Sequence, residues 1–164
     1  MKKLILSSLL AISVLSSGIY ANEKYKKIFE NAIPYNFKLG KTTCEEVKIK
    51  LPYMNKDDKY IKYGVEDKIG VFCNKKTKKI GKVGIYSNKL LRKLKVHRYI
   101  EFDQTIKVLR HYFQDNEIEI DYNHKYDGKY KSILVHFDDI QVDYRFFGDN
   151  GSLFIIAWYD DEPF

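Results

Sequence analysis

Cysteine is scarce: the chain has two in 164 residues, Cys44 and Cys73. There is no CxxC pair and no adjacent Cys–His pair, so nothing local marks a redox or nucleophilic thiol. Long apolar runs are confined to the first residues, and nothing later is long and apolar enough to span a bilayer, which takes about 20 residues. Catalytic signatures are missing too. No HExxH or other zinc spacing involves the four histidines, and no GxSxG, phosphate-binding Gly-rich loop or Ser-x-x-Lys occurs. No nucleic-acid-binding motif is visible. These gaps lower the expectation of an enzyme without excluding one, because catalytic groups need not be neighbours in sequence.

What the chain does have begins at residue 1. Lys2 and Lys3 precede an apolar run from Leu4 to Leu15, then the small residues Ser16, Ser17 and Gly18, with Ala21 at a cleavage position. That layout predicts a secretory signal peptide over residues 1–21 and a single exported domain over 22–164, periplasmic or secreted. The alternative is an uncleaved anchor. About 143 residues suffice for one domain with its own core. Aromatic residues make up 15% of the chain, too many for a disordered segment.

Charge is unevenly spread. Residues 22–100 hold 21 Lys and Arg against 8 Asp and Glu, whereas 101–164 hold 6 against 14. Either the halves neutralise one another across a shared surface, or the basic half faces an anionic partner. In an oxidising compartment the two cysteines most simply pair as a Cys44–Cys73 disulfide closing a loop of about 29 residues. The chain-entropy treatment values such a loop at about 3–4 kcal/mol. A catalytic thiol is the alternative.

Along the chain, residues 22–31 read as a short amphipathic helix with Tyr25, Ile28 and Phe29 on one face, capped by Asn22 and stopped by Pro34. Thr43 and Glu46 have the capping-box spacing, opening a helix with Cys44, Val47 and Leu51 on one side and Pro52 at its end. Met54 to Asp58 reads as a polar turn and Lys59 to Tyr63 as an edge strand. Lys68–Cys73 and Ile80–Ser87 read as a hairpin around the lysine-rich turn Asn74–Lys79. Lys89 to Arg98 suits either helix or strand. Residues 103–114 predict a helix capped by Asp103, with Ile106, Leu109, Tyr112 and Phe113 in its stripe. A meander follows. In it Ile118, Ile120 and Tyr122 face inward, turns fall at Asp127-Gly128, Asp138-Asp139 and Asn150-Gly151, and Ile140, Val142, Tyr144 and Phe146 alternate inward. Leu153–Tyr159 is apolar on both faces, so it reads as a central strand. The expected fold is α+β: an antiparallel sheet with short helices packed on it, in an order that points to two helix-then-sheet units.

Gly40, Thr42 or Thr43, Glu46, Val47 and Leu51 form a Gly-x-Thr turn into a short helix. With the antiparallel strands after it, this resembles bacterial envelope modules of the SmpA/OmlA and beta-lactamase-inhibitor-like kind. The resemblance implies a periplasmic helix-plus-sheet module that binds other proteins and carries no catalytic residues.

Three functional classes remain. The first is a non-enzymatic module binding an unknown protein or envelope component, for which Tyr-rich surfaces are suited. The second is an anion binder for lipopolysaccharide or glycan through Lys75, Lys76, Lys78 and Lys79 with Arg92, Lys93 and Lys95. The third is a small hydrolase using His124, His136 and Asp138. Glu117, Glu119, Asp121 and Asp143 are expected to line one solvated sheet face. No cofactor, metal or nucleic-acid partner is expected.

Overall fold

A computed structural model describes residues 23–113, 118–121, 130–137, 139–147 and 152–159. The expected signal peptide lies outside these residues, as do Asn22, Tyr122, His124, Asp138 and the turns at Asp127-Gly128 and Asn150-Gly151.

The chain opens with helix α1 over 23–32, followed by a 3₁₀ turn at Pro34–Asn36 and helix α2 at Cys44–Lys50. Strands β1 (Tyr53–Lys56), β2 (Tyr60–Val65), β3 (Ile69–Asn74) and β4 (Ile80–Ile85) come next. Helices α3 (Asn88–Lys93) and α4 (Phe102–Leu109) then lead into β5 (Ile118–Asp121), β6 (Tyr130–Phe137), β7 (Ile140–Phe147) and β8 (Ser152–Tyr159). The eight strands form one antiparallel sheet in the order β1-β2-β3-β4-β8-β7-β6-β5. Short helices on an antiparallel sheet make the fold α+β.

The last strand takes a middle position, between β4 and β7. This is the strand whose sequence is apolar on both faces: Leu153, Ile155 and Ala157 join the main core, while Ile156 and Trp158 are buried on the other side. With neighbours on both edges, the helices against its inner face and its outer side chains buried among those of adjacent strands, β8 has little room to display polar groups.

One continuous core lies on the helical side. It joins Tyr25, Phe29 and Ala32 of α1, Val47 of α2, Leu91 of α3 and Leu109 of α4 to Val71, Val83, Ile133, Val142, Tyr144 and Ile155 of the sheet. Helix α1 buries one stripe at i, i+4 and i+7 spacing. Its Tyr25 ring packs edge-on against Phe113 at 4.8 Å, just beyond α4. Ile140, Val142, Tyr144 and Phe146 all join the main core as expected, but Gln141 and Asp143 between them are buried too, on the other face of the sheet.

Helix α2 forms for the reason its sequence gives. Thr43 Oγ1 accepts from Glu46 N–H and Glu46 Oε2 accepts from Thr43 N–H at 2.7 Å, a complete capping box. Thr42 has a different role, its hydroxyl accepting from Lys38 N–H at 2.8 Å. The turn is then stitched to β4: Gly40 N–H donates to Ile80 O and Ile80 N–H to Thr42 O. Gly40 sits at φ +68°, and a Cβ there would meet the Tyr159 ring at 2.7 Å. Only glycine satisfies both the left-handed backbone and the ring above it.

Some expectations are corrected. Residues 53–56, three of the four read as turn, form edge strand β1, so β2 is internal. Backbone pairing to β2 outweighs the low strand preference of Asn55 and Lys56. The ambiguous Lys89–Arg98 segment begins as helix α3. The N-cap of α4 is Glu101, with Asp103 inside the first turn. Ile120 pairs with buried Ile133 yet is 40% exposed, because β5 is an edge strand.

Candidate functional site

The helices leave the opposite face of the sheet to its strands. Strand pleating sends alternate residues there, and the pairing register aligns them in rows. One row crosses six strands without a break: Lys62 opposite Phe72, Phe72 opposite Lys82, Lys82 opposite Trp158, Trp158 opposite Gln141, and Gln141 opposite His136. A second row beside it reads Gly64, Gly70, Gly84, Ile156, Asp143, Leu134 and Glu119.

The glycines let their neighbours lie flat. A Cβ on Gly84 would collide with the Tyr86 hydroxyl at 2.4 Å, and one on Gly70 would meet Lys62 Cε at 2.9 Å and the Phe72 ring at 3.2 Å. Tyr86 also stacks on Phe154, with centroids 5.9 Å apart. The Phe72 ring carries two cations, Lys62 Nζ at 5.3 Å and Lys82 Nζ at 5.1 Å from its centroid.

Hydrogen bonds fix the other end of the row. Trp158 Nε1–H donates to Gln141 Oε1 at 2.6 Å, and Gln141 Nε2 lies 2.9 Å from His136 Nε2. An indole can only donate, so Gln141 presents its oxygen to Trp158 and its NH₂ to His136. His136 Nε2 is then the acceptor, and the ring proton sits on Nδ1. One row over, Arg145 Nε donates to Asp143 Oδ2 at 2.5 Å. Asp143 is only 4% exposed, so the solvated carboxylate expected there is a buried ion pair.

Electrostatics single out Lys82. Burial pulls its pKa down, and nearby Arg145 adds to that, with Asp57 and Asp143 opposing. Burial pushes the Tyr86 phenol up.

The expected disulfide cysteines are neighbours. Cys44 opens α2 against β3, close to Cys73, and its thiol donates to Asn74 O at 4.0 Å. The two sulfurs are not bonded to each other in this structure. Burial raises both thiols, the reverse of an activated thiolate.

The seven expected anion-binding cations do not converge. Lys75, Lys76, Lys78 and Lys79 lie in the β3–β4 turn, which Asn74 shapes by accepting from Lys76 N–H at 2.7 Å and Thr77 N–H at 3.0 Å. Lys75 donates to Asp57 O. Arg92, Lys93 and Lys95 follow the other end of β4, where Lys93 Nζ donates to Asn31 O at 3.1 Å. A six-residue strand separates the two groups by about 17–20 Å. Of the proposed hydrolytic trio only His136 is described, and its observed partner is an amide.

Sequence reasoning passed over Lys62, Phe72, Lys82, Trp158 and Arg145. Strand parity was the available signal, since each lies between inward-facing residues, but parity does not say which strands are neighbours. No family model, curated protein or solved structure matches the chain.

Proposed function

We propose that this is an exported, non-enzymatic binding module built of two helix-then-sheet units, and that its outer sheet face recognises a protein or envelope component. The observation that carries the proposal is the unbroken row Lys62–Phe72–Lys82–Trp158–Gln141–His136. Six strands position it, and it sets two cations against aromatic rings, the residue type enriched at interfaces. The resemblance of the Gly40–Leu51 stretch to envelope interaction modules is in keeping with it. So are thiols held in the protonated form by burial, and a histidine bonded to an amide instead of a carboxylate. The Cys44–Cys73 pair serves as a structural disulfide once the chain reaches an oxidising compartment.

A photo-crosslinking amino acid tests the proposal in cells that produce the full chain. Placed at Tyr60, next to Lys62, or at Phe154, two rows away on the same face, it should trap a partner. Placed at Ile49, 77% exposed on α2, it should not. Adducts from Ile49 alone, or none from the sheet face, overturn the assignment.

A further inference from the structure

Resting on that assignment, we propose that Lys62, Phe72 and Lys82 form a receptor for an acidic, extended segment of a protein partner. Carboxylates at alternating positions of the segment would meet the two ammonium groups across the phenyl ring.

Three features of the row carry this. Both ammonium groups lie within 5.3 Å of the same ring centroid, so no more than about 10 Å separates them. Alternate side chains of an extended peptide project to one side about 7 Å apart, which fits within that span. Second, neither lysine has an ion-pair partner among the described residues. The nearest buried carboxylate, Asp143, is already bonded to Arg145. Third, Lys82 is half-buried between Phe72 and Trp158, beside Arg145, where its charge is disfavoured in the free protein. A carboxylate from outside would reverse that penalty, and docking would remove the water that weakens the attraction.

A membrane fits less well. Insertion needs exposed apolar side chains beside the cations, and the most exposed among the described residues, Ile49 and Tyr99, belong to α2 and the segment after α3. The outer-face glycines Gly64 and Gly70 and the flat Phe72 ring suit an extended backbone laid across the strands.

Trp158, the chain's single tryptophan, stands opposite Lys82 and reports on the site. The folded protein would be titrated with an eight-residue peptide alternating Glu and Thr, with its Gln counterpart, and with phosphatidylglycerol vesicles, following indole emission. The Glu peptide should bind, weaken as salt rises, and lose about tenfold in affinity in both Lys62→Gln and Lys82→Gln. Lys78→Gln and Lys93→Gln should bind as the parent does. Lys82→Met controls for folding: it should lose the peptide while melting no lower than the parent. Equal binding of the Glu and Gln peptides, unchanged affinity in Lys82→Gln, or preference for vesicles overturns the receptor. If crosslinks from Tyr60 and Phe154 persist after such a result, the acidic-segment assignment alone has failed. If they are absent as well, the recognition face falls with it.

Discussion

Gln141 occupies the point where the outer row changes from aromatic to polar. Its amide takes one hydrogen from Trp158 and gives one to His136, so its orientation is fixed from both sides. Replacing it with Leu removes the acceptor of a buried indole N–H, which costs about 1–2 kcal/mol. Gln141→Leu should therefore lower the urea midpoint and shift the emission maximum of Trp158. An unchanged spectrum would mean that the indole does not depend on this bond. Gly40 makes a sharper case. Gly40→Ala must place a methyl group both at positive φ and inside the Tyr159 ring. The two effects together should cost at least about 2 kcal/mol in denaturant unfolding. Tyr159→Ala should relieve the ring contribution, so the double mutant would be less than additive.

Helix α2 has seven residues, too few to hold alone. Its cap, its stitching to β4 and its thiol contact with β3 are what keep it in place. Backbone and hydroxyl bonds from Thr43 pull the Glu46 pKa below the ordinary carboxyl range. A lowered carboxyl pKa stabilises the fold at pH values above the unfolded pKa, about 4.3, and the contribution fades as pH falls through the folded value. Acidification below about pH 4 should therefore loosen α2. Thr43→Ala should cost about 1 kcal/mol at neutral pH and flatten this acid dependence, as amide exchange in α2 would reveal. The thiol pair offers the complementary measurement. Oxidising Cys44 to Cys73 should raise unfolding free energy by about 3–4 kcal/mol over the reduced protein, and free thiols in protein taken from its native compartment would remove that contribution. Gly40, Thr43 and Glu46 were all legible in the sequence, because capping and turn chemistry act between residues a few positions apart. The edge strand Tyr53–Lys56 was not, because nothing local favours it and pairing with β2 decides it.

Across the whole molecule, two four-strand ladders meet where β4 pairs with β8. The basic and acidic parts of the sequence thus become two sides of one sheet. This seam closes the core, and β1 and β5 are the open edges. Native-state hydrogen exchange should find the slowest amides in β4 and β8 and the fastest strand amides in β1 and β5. Protection that is instead greatest in β2 or β6 would mean that the ladders open independently. The cations once grouped from sequence end up at opposite ends of β4, while Lys62 and Lys82, twenty positions apart, share one phenyl ring.

The sequence by itself determined what local physics controls: the capping box, the glycine turn, the inward alternation of β7 and the doubly buried character of β8. It also determined which side chains share a face of each strand, since that follows from a two-residue repeat. Only the tertiary structure decided which strands lie side by side, and therefore that a lysine, a phenylalanine, a second lysine, a tryptophan, a glutamine and a histidine form one line. Pairing order depends on long-range backbone hydrogen bonds and on how the two ladders close a common core, and no short stretch of sequence contains that information.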